Sequence, residues 1–179
     1  MRLLLLPLLL VGLAGCALHP AGGPPGSDAR AGAQELQTTF IVVRHGEKST
    51  EEPEDPRLDA NGRARAQALA ETLADVPLKA IYSTPTHRTR ETAAPVAHAQ
   101  ALEVREYDPE LAPSELATML HIRHAGDTVL LVGHSNTVPG IVTALCACPV
   151  DAMTEEDYGD MFRVRIAADG DARLERERF

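Results

Sequence analysis

Two apolar runs, Thr39-Phe40-Ile41-Val42-Val43 and Thr128-Val129-Leu130-Leu131-Val132, decide the fold of this chain. Both lack the polar alternation of a half-exposed strand, which is typical of parallel strands that are buried on both faces. Leu78 to Tyr82 is a shorter run of the same kind. From Asp59 to Val76 the apolar residues instead recur at helical spacing, with Asp59 or Asn61 as candidate N-caps. The sequence therefore predicts strands that alternate with helices.

The same patterns extend this alternation to the C-terminus. They predict three more helices and one more strand: Thr86 to Ala99, Ser114 to Ala125, Thr137 to Leu145 and, as the strand, Leu102 to Tyr107. Pro95 predicts a break or kink in the first of these helices. Two strands, Phe162 to Ile166 and Ala172 to Arg178, flank a predicted hairpin turn at Asp169-Gly170. The expected fold class is α/β: a three-layer sandwich with a mostly parallel central sheet, helices on both faces and an antiparallel edge hairpin at the C-terminus.

The amino-acid composition excludes some classes of function. The chain has 179 residues, enough for one core of moderate size, and carries 17 Lys plus Arg against 26 Asp plus Glu, a formal net charge of -9. No basic cluster of the kind that holds a phosphate backbone is present, so nucleic acid is not an expected partner. Trp is absent and aromatic residues make up 3% of the chain, which disfavours a stacking platform. The function is expected in a compact polar site.

The N-terminus predicts an export signal and a lipid anchor. After Arg2, the apolar run from Leu3 to Ala14 is too short to span a bilayer. It ends in Leu13-Ala14-Gly15-Cys16, which resembles a bacterial lipobox; the resemblance implies cleavage before Cys16 and a diacylglycerol on its sulfur. The alternative is a plain signal peptide with an incidental cysteine. Ala17 resembles the outer-membrane-sorted class, so the expected location is the periplasmic face of the outer membrane.

Three parts of the chain are thus expected. Residues 1–15 form the signal peptide, and residues 16–36 comprise the lipidated Cys16 and a Gly- and Pro-rich flexible tether. Residues 37–179 form the folded domain, which Cys16 would attach to the membrane.

Polar residues follow the predicted strands at the edge where α/β proteins bind ligands. Arg44 and His45 follow the first strand, Arg88 lies in the cluster after the second, and His134 follows the strongest strand. Ligands bind beyond the carboxyl ends of parallel strands, so these four side chains are expected at one rim. Two guanidinium groups and two imidazoles form a site for a tetrahedral oxyanion such as phosphate.

These residues resemble the motifs of the histidine phosphatase superfamily, which includes the cofactor-dependent phosphoglycerate mutases. The resemblance spans about Thr38 to Ala144 and rests on four segments: Arg44-His45-Gly46, Ser83 to Ala93 with Arg88 and Thr92, Gly133-His134, and Leu58-Asp59-Ala60-Asn61-Gly62. Each short motif alone is weak, but the first three of these segments in this order, each at a strand end, form a strong signal.

The resemblance implies a mechanism and residue roles. A neutral His45 would attack phosphorus and form a phosphohistidine, which water then hydrolyses. Its other ring nitrogen should donate to a backbone carbonyl near Gly46. Arg44, Arg88 and His134 would bind the phosphate oxygens, so that no metal and no cofactor is required. For the general acid we favour Glu110, with two other acidic residues as alternatives, Asp108 and Glu106.

The predicted function is a metal-independent phosphohydrolase of the cell envelope. Its partner would be a small phosphorylated substrate or a phosphoprotein. The group that it hydrolyses would be a phosphomonoester or a phosphohistidine. The interval from Arg88 to His134 is too short for the insertions with which a mutase closes its pocket. The acidic segment Glu51-Glu52-Pro53-Glu54-Asp55 is interpreted as a solvated loop; as a hypothesis, it would also repel polyanions and favour small monoesters. The alternative function is a non-catalytic envelope lipoprotein that uses the same fold as a phosphoanion- or protein-binding module.

Other polar patterns are given structural interpretations. Cys146 and Cys148, one residue apart, are expected as unbonded small apolar residues at a helix end. His121 and His124 could form a metal pair at i and i+3, but a solvated helix face is favoured because no third ligand is in register. Arg90 competes with Arg88, and helical phase favours Arg88.

Overall fold

Strands and helices alternate along residues 37–179, the part of the chain that the computed structural model describes. The strands are β1 Thr38–Arg44, β2 Leu78–Ser83, β3 Val104–Glu106, β4 Thr128–Gly133, β5 Asp160–Ile166 and β6 Ala172–Arg178. The helices are α1 Ala60–Thr72, α2 His87–Gln100, α3 Pro113–Arg123 and α4 Val138–Cys146. The predicted signal peptide, Cys16 and the tether lie outside the described residues.

The six strands form one sheet in the order β3-β2-β4-β1-β5-β6. β1, β2, β3 and β4 run parallel, whereas β5 pairs antiparallel with both β1 and β6. The predicted fold class is confirmed: the sheet is mostly parallel and ends in an antiparallel hairpin. The parallel strands place all their carboxyl ends at one edge, which is where the candidate site lies.

A separate apolar core covers each face of the sheet because successive strand residues point to opposite sides. On one face Phe40 and Val42 of β1 pack with residues of α3 and α4. On the other face Ile41 and Val43 pack with residues of α1 and α2. These four β1 side chains are fully buried. Burial of each large apolar side chain contributes about 1.5–3 kcal/mol, so the first apolar run holds both layers onto the sheet.

The most marked differences from the predicted helices are in α1 and α2. α1 ends at Thr72 rather than Val76, and Asp59 is its N-cap, accepting a hydrogen bond from the Gly62 N–H at 2.8 Å. The predicted break at Pro95 is wrong, since α2 runs through it. Thr92 and Val96 on either side of the proline are fully buried. Their burial offsets the roughly 3 kcal/mol that an interior proline costs a helix.

Two structural interpretations of polar residues were also wrong. Cys146 and Cys148 are joined in a disulfide rather than unbonded. Ala147 ends α4 in the left-handed conformation, with a φ of 53°, and this reversal brings the two Cα atoms to 5.1 Å. His124 is buried rather than solvated, and it lies between the Tyr82 hydroxyl at 3.0 Å and the Asp127 carboxylate at 3.2 Å.

Candidate active site

The two histidines of the candidate site follow neighbouring strands of the sheet. β1 and β4 pair in register up to Arg44 and Gly133, and the His45 N–H donates to the Gly133 carbonyl at 3.0 Å. The imidazole rings of His45 and His134 consequently lie edge to face with their centroids 5.3 Å apart. The structure thus brings together two residues that are 89 positions apart in the sequence because their strands are adjacent.

His45 is buried and held in one orientation. Its residue surface is 3% exposed, and Nδ1 lies 2.7 Å from the carbonyl oxygen of Gly46, to which it donates. Burial lowers the pKa of His45 to about 3; the Gly46 hydrogen bond opposes this shift, while His134, Arg44 and Arg88 add to it. The ring is therefore neutral at pH 7 and keeps its lone pair on Nε2. That is the form that a nucleophilic imidazole requires.

His134 is also neutral at pH 7 and has a defined tautomer. Arg88 Nη2 lies 3.4 Å from Nδ1, and a guanidinium can only donate, so Nδ1 is the acceptor. Nε2–H then donates to the Thr84 hydroxyl at 2.8 Å. Burial, together with the charges of Arg88 and Arg44, lowers the pKa of His134 to about 4. Thr84 follows β2, so a third strand end takes part in the site.

Arg88 and Arg90 lie in the first turn of α2 but have different surroundings. Arg88 contacts His134, and its Nη1 is 3.5 Å from Asp55 Oδ1. Arg90 donates to the Pro85 carbonyl and pairs with Glu106 away from the two histidines. Residues two positions apart in a helix point about 200° apart around its axis, which explains why only one of these arginines faces the site.

Arg44 lies beside the site with its guanidinium fully buried. Nη1 donates to the backbone carbonyls of Thr154 and Asp157 at 2.9 and 3.1 Å, and the guanidinium carbon lies 4.1 Å from the centroid of the Tyr158 ring. Its Nε–H is the buried side-chain donor that has no acceptor within residues 37–179. An unsatisfied buried donor costs about 1–3 kcal/mol and is typical of a functional position.

The residues from 154 to 158, here called the 154–158 segment, were missed by the sequence reasoning. Glu155 accepts a hydrogen bond from the Ser135 hydroxyl at 2.6 Å, and it pairs with Lys48 at 3.1 Å and Arg44 at 3.4 Å. The hydrogen bonds from Ser135 and Lys48 lower the pKa of Glu155 to about 2. No motif or periodicity marks this segment; the only signal is an acidic run, which usually means a solvated loop.

Small residues allow the nucleophile loop to lie directly on α1. A Cβ atom added to Gly46 would lie 2.8 Å from the carbonyl oxygen of Gly62, and one added to Gly62 would overlap the backbone of Glu47. The Gly46 N–H donates to the Thr92 hydroxyl at 3.0 Å, and that hydroxyl donates to the Arg88 carbonyl at 2.7 Å. The Leu58-x-x-x-Gly62 pattern and Thr92 therefore support the loop that carries His45.

The candidate general acids lie at the same edge but outside the histidine cluster. Glu106 pairs with Arg90, and Asp108 accepts a hydrogen bond from the Glu110 N–H at 2.9 Å. The Glu110 side chain is exposed and makes no hydrogen bond or ion pair with another described residue. The structure does not bring Glu110 into contact with His45. Of the three candidate acids, Glu110 is the one whose carboxylate has no hydrogen-bond or ion-pair partner in the described part of the chain.

The arrangement combines a neutral, oriented imidazole with cationic side chains. Within the described range, His, Cys, Asp and Glu side chains form no group of three arranged to hold a metal ion. Arg88 contacts the His134 imidazole, and Arg44 and Lys48 both pair with Glu155. Among the same residues, no helix is both long and apolar enough to cross a bilayer.

The fold is that of an α/β protein whose buried histidines and arginines gather at the carboxyl edge of its parallel strands. Residues 40–112 match the family model of the histidine phosphatase superfamily (branch 1). A curated relative, the uncharacterized protein Rv0525 of Mycobacterium tuberculosis, is 40% identical over 86 residues, which is 44% of this chain and 41% of that protein. The chain therefore spans less than half the length of the curated relatives it matches.

Solved structures share the fold at low sequence identity. The mycobacterial glucosyl-3-phosphoglycerate phosphatase Rv2419c is 16% identical with a TM-score of 0.64, covering 80% of this chain and 98% of that one. The protein histidine phosphatase SixA, complexed with tungstate, is 18% identical with a TM-score of 0.62, covering 78% and 96%. YhfR of Bacillus stearothermophilus is 20% identical with a TM-score of 0.62, covering 76% and 95%. Together with the family match, they support the histidine phosphatase superfamily.

Proposed function

We propose that this chain is a metal-independent phosphohydrolase that works through a phosphohistidine on His45. The observation that carries the proposal is the convergence of a neutral, oriented imidazole with His134 and Arg88 at the edge where Arg44 is buried. Phosphoryl transfer needs a nucleophile in position and cations around the developing charge, and these side chains supply both.

The reaction has two balanced steps. In the first, the Nε2 lone pair of His45 attacks phosphorus, the bond from phosphorus to the leaving oxygen breaks, and that oxygen takes a proton. In the second, water attacks phosphorus, the nitrogen–phosphorus bond breaks, and phosphate leaves as the water gives up a proton. Arg44 and Arg88 bind the phosphoryl oxygens throughout, and His134 binds one by turning its Nε2–H from the Thr84 hydroxyl to that oxygen. Glu110 is our proposed proton donor.

The substrate is a phosphomonoester or a phosphohistidine on a small molecule or a protein. Two structural neighbours support this range: one is described as a glucosyl-3-phosphoglycerate phosphatase and the other as a protein histidine phosphatase. The superfamily also includes mutases. Against a mutase stands the short connection between Arg88 and His134. It consists of the rest of α2, then β3, α3 and β4 with brief loops, and leaves little chain to close over the site.

One assay tests the proposal. Hydrolysis of an aryl phosphate in the presence of a chelator should proceed with the wild-type protein and fall to background with His45→Ala. His98→Ala, on the exposed side of α2, is the matched control and should retain full turnover. Wild-type protein quenched during turnover should carry acid-labile phosphate on His45.

The alternatives give different results in the same assay. Phosphate binding without turnover would identify the non-catalytic binding module, and turnover that disappears with the chelator would identify a metallophosphatase.

We also propose that the enzyme is anchored to the cell envelope by a lipid on Cys16. The support is the sequence Leu13-Ala14-Gly15-Cys16 after a short apolar run, followed by a Gly- and Pro-rich tether. Labelled palmitate should be incorporated into the wild-type chain and not into Cys16→Ser. Recovery of the label in outer-membrane fractions would support the proposed location, and recovery of an unlabelled, fully soluble protein would contradict it.

A further inference from the structure

The carboxylate of Glu155 lies at a point where anion-binding donors from separate parts of the chain meet. Ser135 is the residue after His134, Arg44 ends β1, and Lys48 lies in the loop beyond His45. Their donor atoms are 2.6, 3.4 and 3.1 Å from the Glu155 oxygens, respectively. A carboxylate and one face of a phosphate present oxygens to such donors in a similar way. The donor set that holds Glu155 is therefore one that can hold phosphate oxygens.

We propose that Glu155 is a specificity-determining gate, whose carboxylate occupies part of the anion site until a phosphate dianion displaces it. The proposal rests on the proposed function, which gives the position of the phosphate. It adds a residue that selects which anions enter the site. A substrate dianion competes successfully for Arg44, Lys48 and Ser135, whereas a weakly held monoanion does not. The same competition weakens the binding of the product orthophosphate.

The backbone around Glu155 is held independently of its side chain. Asp157 accepts the Thr154 N–H at 2.6 Å, and Arg44 Nη1 donates to the carbonyls of both residues. The Glu155 side chain itself is 66% exposed. Rotation of this side chain into solvent therefore breaks only its own three contacts and leaves the turn and the Arg44 position in place.

The charge balance favours displacement by a dianion. With Glu155 in place, its carboxylate offsets part of the positive charge of Arg44 and Lys48, while Asp55 pairs with Arg88. When Glu155 turns away, the site gains one unit of net positive charge. Attraction grows with the product of the charges, so a dianionic phosphate gains more from the exposed cations than a monoanion does.

The contacts of Glu155 do not suit a general acid. The Ser135 hydroxyl donates to it and Lys48 pairs with it, and both contacts stabilise the ionised form. A carboxylate held in its ionised form has no proton to give to a leaving group. Glu155 therefore acts on binding, whereas Glu110 is the proposed proton donor.

Orthophosphate binding to the full-length protein tests the gate directly. Titration calorimetry at low ionic strength should show that Glu155→Gln binds inorganic phosphate about tenfold or more tightly than wild type. Glu156→Gln is the matched control, because Glu156 is exposed in the same turn and none of its side-chain atoms bonds to another described residue. This variant should bind phosphate within about twofold of wild type. In steady-state assays, Glu155→Gln should lower KM and strengthen product inhibition, with a smaller change in kcat.

The outcomes separate the gate from the hydrolase. Tighter phosphate binding by Glu155→Gln in a protein that turns over no monoester would support the gate and reject the hydrolase. Equal or weaker binding by Glu155→Gln, with an unchanged melting temperature and with wild-type turnover intact, would overturn the gate and retain the hydrolase. Selective loss of alkyl phosphate hydrolysis at unchanged phosphate affinity would overturn the gate as well, since it would make Glu155 the acid.

Discussion

The two sides of the candidate site are built in different ways. One side, which we call the motif edge, consists of Arg44 to Gly46, Arg88 and Gly133-His134, at the ends of strands or in the first turn of α2. The other side is the 154–158 segment between α4 and β5. The motif edge is held by backbone hydrogen bonds, such as that from His45 to Gly133. The 154–158 segment is held mainly through the buried side chain of Arg44.

The difference in burial between the two sides suggests that they have different roles in catalysis and in the choice of substrate. Residues of the motif edge are nearly all buried and cannot move without disturbing the sheet. Glu155 in the other segment is exposed and can turn away at little cost. We infer that the motif edge performs phosphoryl transfer and the 154–158 segment controls which anions reach it. Substitutions on the two sides should therefore change different kinetic constants.

The largest effect after loss of His45 is expected for Arg88→Ala. Removal of one preorganised donor to a developing anion costs about 10²- to 10³-fold in kcat. Arg90→Ala is the control, because Arg90 pairs with Glu106 outside the cluster and should change kcat by less than about twofold. Steady-state rates on an aryl phosphate measure both. Similar losses in the two variants would break the assignment of Arg88 to the motif edge.

Glu110→Gln should show an effect that depends on the leaving group. An alkyl alcohol must be protonated as it leaves, whereas a nitrophenolate leaves readily without a proton, so loss of a general acid costs about 10²-fold only for the alkyl ester. Glu106→Gln is the comparison variant, since the Glu106 carboxylate already pairs with Arg90. Equal rates of wild type and Glu110→Gln on an alkyl phosphate would remove Glu110 from the mechanism.

The motif edge could be predicted from the sequence, and the 154–158 segment could not. Continuous apolar runs identify β1 and β4 as buried parallel strands, and this places Arg44, His45 and His134 at one edge. Glu155 reaches the site only because Arg44 binds the backbone of its turn, which is a long-range contact with no local pattern. The Cys146–Cys148 disulfide was missed for a similar reason, since it depends on the left-handed Ala147 between the two cysteines.

Gly62→Ala tests how closely the motif edge depends on its scaffold. The added methyl group would overlap the backbone of Glu47, and the loop that carries His45 would have to move. We expect a loss of about 2 kcal/mol in the free energy of unfolding. The neighbouring Asn61→Ala is exposed and should change it by less than about 0.5 kcal/mol. Urea denaturation measures both, and a fully stable Gly62→Ala would show that the close contact is not required.

Tyr158→Phe should have a smaller effect, confined to binding. The substitution removes the hydroxyl that lies 3.3 Å from Arg44 Nη2, while the ring that faces the guanidinium remains. Loss of one such hydrogen bond corresponds to about 1 kcal/mol, or roughly a fivefold rise in KM at unchanged kcat. A fall in kcat as large as that of Arg88→Ala would place Tyr158 with the motif edge instead.

The motif edge should also contribute to the pH dependence of stability through its two buried histidines. Burial lowers the pKa of His45 to about 3 and that of His134 to about 4, whereas both titrate near 6.5 in the unfolded chain. Between these values the unfolded state binds more protons than the folded state. Their contribution to stability is therefore fully present above about pH 6.5 and is lost as the pH falls toward 4 and then 3.

Comparison of variants isolates this contribution from that of the carboxylates. Near pH 5.5 to 6.5 most carboxylates stay ionised in both states, so each buried histidine should account for about 1 kcal/mol of lost stability per pH unit. His45→Asn and His134→Asn should each flatten the dependence of the unfolding free energy on pH in this range. His98→Asn, at an exposed position of α2, is the control and should keep the pH dependence of wild type. Parallel pH profiles for wild type and all three variants would mean that the two site histidines charge in the folded protein, and a protonated His45 could not serve as the nucleophile.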